Sequence, residues 1–509
     1  MDYKLIRESF CVKETLLDAS YNQAVELDCI LPDYYPEIFK ILNLRIKPSV
    51  VKHSVNQTKL NYELLVQIKM IYLSEDGTVS ELSQDLTYNK SVDLPYSVKS
   101  PCISISPYSE SESVRVVNKR RVDIRGIVGI DVLVTSSEQR QAISQAYNGG
   151  LQLKKSLITY PSKRLCITKR ITVVDEVEMG AKDAMKTLLR ADACVTSCDK
   201  KVISGKLLTK GEAEVTALYI EENSGEATSI KFSLPFSQIC DIEGLDEKYD
   251  VFVSACVLGC DVRPLAKADT SKLECELAIA LNCLAMKFES AQLAIDAFST
   301  DYETSVNKEK AKIECTPLIL DDSHKTKATL TYSEGGIKSV ISAGAEATKV
   351  NVSHSEASNE AIVAGIVKVY AFAKNDSDKL IYLENSLPFE HKVALTCEEF
   401  GGAQVCACVT SASYNLSSSN AMEVICDIKL SGYIFEANEI EYIESIVIDE
   451  SSPIEGENDC ALKLYFAQAG ESMWDIAKRC HASVTAISDE NEIDGDMITS
   501  DGMILIPIC

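Results

Sequence analysis

Histidine is scarce in this 509-residue chain, with five in all, and tryptophan occurs once. His53, His324, His354, His391 and His481 are scattered, and none stands beside a close cysteine pair, so the usual Cys/His modules of a structural zinc site are missing. Positive charge is also short. Against 76 Asp and Glu there are 51 Lys and Arg, a net charge of −25 that repels phosphate backbones and anionic lipid headgroups, and no segregated basic patch offsets it. The longest strongly apolar run, Leu277 to Met286, is about half of the ~20 residues a membrane-spanning helix needs, and Asn282 interrupts it. No apolar h-region follows the initial MDYKLIRESF, so cytosolic residence is expected. The motifs G-x-S-x-G, H-E-x-x-H, G-x-x-x-x-G-K-[ST] and G-x-G-x-x-G are absent, and no catalytic centre, cofactor or metal is expected.

What remains is a chain of globular composition, 46% hydrophobic and 25% charged, long enough for several cores. Its 19 cysteines are an odd number, spaced irregularly and below the roughly 8–10% of a disulfide scaffold. Free thiols in a reducing compartment are expected. Even spacing in Cys194/Cys198, Cys256/Cys260 and Cys406/Cys408 predicts that both members of each pair share one sheet face and pack as small apolar residues.

The chain repeats itself. A hydrophobic-Lys-x-hydrophobic segment occurs at Phe39, at Met185 and at Ile337; alternating runs then end at Tyr72, Tyr219 and Tyr370; Leu86-Thr87-Tyr88, Leu234-Pro235-Phe236 and Leu387-Pro388-Phe389 follow. A period of roughly 150 residues, kept by several ordered markers, is too long for a solenoid and predicts three whole domains in tandem. They are placed at residues 1–145, 146–300 and 301–448. Turn clusters at 74–77, 222–225 and 375–378 read as hairpins, and strict alternation in Leu273 to Leu281 reads as a half-buried strand. Helical patterns are few, a short one running from Asp183 to Arg190. The fold class expected is mainly β: three antiparallel β-sandwich or open-barrel domains followed by a different, smaller module.

That module starts after an acidic linker at 449–461 and occupies 462–509. A short strand, a turn at Gly470, a helix from Met473 capped by Ser472, a second helix from Val484 to Asn491 capped by Ser483, and a closing strand ending at Pro507 give a βααβ order. Gly470, Met473, Ile476, Ala477, Asn491, Gly502, Leu505, Ile506 and Pro507 stand where the LysM pattern has its signature residues, and the module resembles a LysM domain. Glu471, Ser472, Met473 and Glu492 depart from the usual Asp, Thr, Leu and Pro. The resemblance implies a groove for N-acetylglucosamine-containing glycans formed by Gly470, Glu471, Ser472 and Met473 on one side and Asn491, Glu492 and Ile493 on the other. Asp489, Glu490, Glu492, Asp494 and Asp496 crowd that groove and suit a basic protein surface at least as well. Calcium fits poorly, because DENEIDGDMITSDG lacks the EF-hand register. Trp474 reads as core or staple sooner than as a sugar platform.

The upstream repeats resemble the SPOCS domain of spore-coat proteins in endospore-forming bacteria. This implies a non-catalytic protein of the mother cell at the forespore surface, docking coat layers through a polymerising ATPase scaffold protein. The alternative is a peptidoglycan-binding protein of wall or cortex.

Overall fold

The computed structural model describes residues 3–98, 101–179, 184–203, 205–265, 272–397, 399–454 and 461–507. Nearly all of them up to Pro453 are strand. In the first 150 residues six strands form two antiparallel sheets. β1 (Lys4–Ile30), β6 (Arg121–Tyr147) and β5 (Cys102–Asn118) pair in the order β1-β6-β5, while β2 (Ile38–Asn56), β3 (Lys59–Ser74) and β4 (Val79–Asp93) pair in chain order. Period-two alternation drives this. Leu60, Tyr62, Leu64, Val66, Ile68 and Met70 of β3 are buried and meet Val122, Ile124, Val128 and Ile130 of β6 in one apolar cluster.

The same order returns twice. β7 (Leu151–Glu178), β12 (Lys272–Ser299) and β11 (Asp250–Pro264) form one sheet; β8 (Met185–Ile203), β9 (Lys206–Glu221) and β10 (Ala227–Asp241) form the other. In the third unit β13 (Tyr302–Glu314) and β14 (Leu318–Thr331) together occupy the place of β1, because Pro317 cannot donate to a ladder. Both pair with β19 (Ala421–Pro453), which also pairs with β18 (Glu399–Leu416), and β15 (Ile337–Ser355), β16 (Glu360–Asn375) and β17 (Leu380–Ala394) complete the unit. The hairpin turns expected at 74–77, 222–225 and 375–378 lie between β3 and β4, β9 and β10, and β16 and β17, and Gly77 takes φ +86° in the first.

Several expectations need correction. Residues 185–190, read as a short helix, belong to β8, and Asp183 lies outside the described residues. Ile38, not Phe39, pairs as Met185 and Ile337 do; Ile38 is buried and Phe39 is 62% exposed. Tyr72 and Tyr219 pair with Ile41 and Leu188, but the residue paired with Val340 is Ala373, so Tyr370 is not their counterpart. A tyrosine three residues early mimics the period while facing the other way. Asp449 to Pro453, assigned to the linker, prolong β19, and 455–460 lie outside the described residues.

Bulges overturn two of the cysteine assignments. Register shifts at Val195/Ser197 and Val257/Gly259 turn Cys194 away from Cys198 and Cys256 away from Cys260, since one inserted residue reverses every side chain beyond it. Cys198 and Cys260 pack on the core of the second unit, whereas Cys194 and Cys256, with Cys406 and Cys408, line a chamber of about 400 Å3 between units. Nor are all thiols free. Cys102 is bonded to Cys166 and Cys194 to Cys408, each bond joining different units. Sequence separations of 64 and 214 hide such pairs from a reading of spacing.

The units pack side by side. Beyond their sheets, the paired ends of β1/β6, β7/β12 and β13/β19 bury Phe10, Ala142, Tyr160, Leu293, Ile313 and Tyr442 together, with the Phe10 ring edge-on to Tyr442 at 5.1 Å. A second seam joins Leu42, Ile71, Leu189, Leu218 and Phe372. Beside it Arg45 of the first unit reaches Asp192 of the second and Glu346 of the third, both at 2.7 Å. Arg190 bonds Asp192 at 2.6 Å, and the Tyr370 hydroxyl donates to the same carboxylate at 2.6 Å. Burial pushes the Asp192 carboxyl up, but Arg190 and Arg45 outweigh it and hold it far below the usual range. Gly344 opposite Tyr370 leaves space for the ring, which a Cβ there would strike.

Candidate functional site

The tail consists of β20 (Leu462–Ala467), α1 (Met473–Cys480), α2 (Val484–Asn491) and β21 (Gly502–Pro507), with β20 and β21 antiparallel. Ile476, Ala477, Ile487, Ile504 and Ile506 make its core. Gly470 at φ +90° turns the chain into α1. Ser483 caps α2, accepting from the Ala486 N–H. The Ser472 side chain makes no such bond, contrary to expectation. Its backbone is engaged by the opposite loop, in an antiparallel bridge to Met497, and the Met473 N–H at the helix start donates to the Asp496 carbonyl at 2.9 Å.

The turn before α1 meets residues 496–498. Gly470 N–H donates to the Ile498 carbonyl at 2.8 Å, and Ile498 N–H returns to Glu471 at 2.9 Å. Yet the seven candidate residues divide. Met473 is 1% exposed and belongs to the core. Asn491 is consumed internally: its amide donates to the carbonyls of Ile487 at 2.8 Å and Leu505 at 2.6 Å, and its oxygen accepts from the Leu505 N–H at 2.7 Å. It clamps α2 to β21. The Glu471 carboxylate accepts from the Tyr465 hydroxyl and the Gln468 N–H, both at 3.0 Å. Ile493 is half-buried against the core, and Glu492 ends α2 in the left-handed conformation at φ +51°. Glu492 is exposed beside Asp489, Glu490, Asp494 and Asp496, while Gly470 forms the turn. The accessible face of the loops is therefore acidic.

Sequence reasoning missed where α1 sits. Trp474, 8% exposed, donates its indole N–H to Asp296 of β12 at 2.8 Å and stands edge-on to Phe298 at 5.0 Å. Lys478, one turn on, meets the same carboxylate at 2.8 Å. Burial pushes the Asp296 carboxyl up, but hydrogen bonds from Lys478 and Trp474 and the charge of Lys308 outweigh it and hold it below its ordinary value. Trp474 is thus a staple, though between tail and body. An aspartate 178 residues upstream carries no local sign of this role. On the far side of the tail, Leu464 and Phe466 of β20, 62% and 57% exposed, pair with Leu505 and Met503 to make an apolar ribbon face open to solvent.

Residues 184–264 match the SipL, SPOCS domain family. The match runs from β8 through β11 of the second unit and ties the chain to sporulation proteins. No curated protein and no solved structure gives a match. No helix among the described residues is long and apolar enough to cross a membrane, and among them no three metal-ligating side chains cluster.

Proposed function

We propose that the protein is a non-catalytic assembly factor of the spore coat, similar to SipL, with three tandem SPOCS-type β-sandwich domains and a LysM-type adaptor at its end. The observation that carries this reading is the family match on β8 to β11, a segment whose strand order recurs before and after it. The expected setting is the mother cell, where the protein docks coat layers onto the forespore surface through a polymerising ATPase scaffold protein.

For the tail, a protein partner is favoured over N-acetylglucosamine-containing glycan. Both amide donors of Asn491 and its side-chain oxygen are engaged within the tail, and Met473 faces inward, so two of the expected sugar contacts are spent on the fold. The ribbon of Leu464, Phe466 and Met503 offers apolar area of the kind protein interfaces bury. Leu464→Glu leaves the tail folded, since the side chain is already in water, and abolishes both forespore-surface localisation and co-purification of the scaffold ATPase. Saturable retention on purified peptidoglycan that Ser472→Trp removes would overturn the protein-docking reading in favour of glycan binding. Release of muropeptides by the pure protein would overturn the non-catalytic one.

A further inference from the structure

We propose that Cys315 and Cys397 are a dithiol arranged to close into a disulfide, a modification site in the third unit distinct from the two bonds between units. Cys315 lies in the break between β13 and β14, and Cys397 follows β17. Their sulfurs are 3.4 Å apart across a sequence separation of 82, with the Cys397 thiol donating to Cys315. Closure to a bond of about 2.05 Å needs a shift of roughly 1.4 Å, within reach of small χ1 adjustments.

One residue holds both backbones in place. The Cys315 N–H donates to the Glu436 carbonyl at 2.9 Å, and the Cys397 N–H donates to the Glu436 carboxylate at 3.0 Å. Glu436 is itself buried and also accepts from the Thr396 hydroxyl at 2.7 Å. The Cys397 carbonyl accepts from the Asn359 amide at 3.0 Å. Both chain segments are thereby fixed with their thiols in contact, and that preorganisation favours an intramolecular bond over a mixed one. Both cysteines are half-buried beside exposed threonines, Thr316 and Thr396, so a small reagent can reach them.

Burial and the adjoining Cys397 thiol push the Cys315 thiol up to about 12. In the proposed sequence Cys397 reacts first. The oxidant is a low-molecular-weight disulfide, RSSR. The Cys397 thiolate attacks one of its sulfurs, a mixed disulfide forms and one RS− leaves. Cys315 then loses its proton and attacks the Cys397 sulfur, expelling the second RS−. Two protein thiols and one RSSR become one protein disulfide and two RSH. The Asn438 amide, donating to the Cys315 sulfur at 3.3 Å, stabilises the thiolate of the second step.

The test uses the full-length protein equilibrated with glutathione disulfide, alkylated, digested without reduction and read by mass spectrometry. The expected result is a Cys315–Cys397 cross-linked peptide, two hydrogens lighter than its parts, with no glutathione retained on either residue. In Cys315→Ser the adduct stays on Cys397, and in Cys397→Ser the cross-link is lost completely. Alkylation of both thiols in the equilibrated wild type, or a lasting glutathione adduct on its Cys397, overturns the proposal.

Discussion

The body and the tail of this molecule are held by opposite means. Three β units meet over buried rings and aliphatic side chains, a shared ion cluster and two disulfides, so their mutual arrangement draws on many contacts dispersed over two seams. The tail rests on the body mainly through one carboxylate, that of Asp296, and one ring pair, Phe298 with Trp474. Phe298 of the body belongs to the same apolar cluster as the tail residues Ile476, Ala477, Ile487, Ile504 and Ile506. The body is thus joined by dispersed contacts and the tail by a few at the end of β12.

Four measurements test this contrast between body and tail. The largest effect is expected at the charge cluster: Asp192→Ala leaves Arg45 and Arg190 sharing Glu346 and costs about 3–5 kcal/mol of body stability by denaturant unfolding. Because Asp192 has its folded-state value depressed, the stability it contributes is present above the ordinary carboxylate range near pH 4 and is lost as pH falls below it. A wild-type and mutant difference that does not shrink on acidification would contradict the assignment. Next, reduction of the bonds Cys102–Cys166 and Cys194–Cys408 should cost about 2–4 kcal/mol each in the body, with Trp474 emission unchanged at low denaturant because neither bond includes a residue of the tail.

Lys13 supplies a third test. Its amine bonds the Gly401 carbonyl at 2.6 Å and pairs with Glu314, beside Arg164. Burial and the Arg164 charge push it down to about 8. In that window the unfolded chain binds more protons than the folded one, so this group makes stability rise between about pH 8 and its unfolded value near 10.5. The difference between wild type and Lys13→Met should change in that sense, by roughly 3 kcal/mol at most. The smallest effect on global stability belongs to the tail. Asp296→Asn weakens bonds to Trp474 and Lys478 at a local cost of about 1–3 kcal/mol, and the sole tryptophan should shift its emission to the red as the ring meets water. An unshifted spectrum would mean that the ring pair alone holds the module.

Where local pattern decides structure, the residues were readable: alternation in β3 and β12, the turns at Gly77 and Asp378, and the two helices of the tail with Ser483 as cap. The site was less so. The turn before α1 meets residues 496–498, and Asn491 and Met473 face the fold, because a residue at the right spacing is free for a ligand only if the backbone nearby does not claim it. Tyr370 shows the same limit in the body. It keeps the period of Tyr72 and Tyr219 and yet sits in the seam between units on Asp192.

Local pattern sufficed for the β character, the threefold recurrence of the landmarks and the βααβ order of the tail, since periodicity and turn chemistry act over a few neighbours. Which thiols meet, which tyrosine faces a seam and where Trp474 docks depend on how distant strands pack. Those contacts join residues more than sixty positions apart, and a single bulge, as between Val195 and Ser197, is enough to turn a side chain from one face of a sheet to the other.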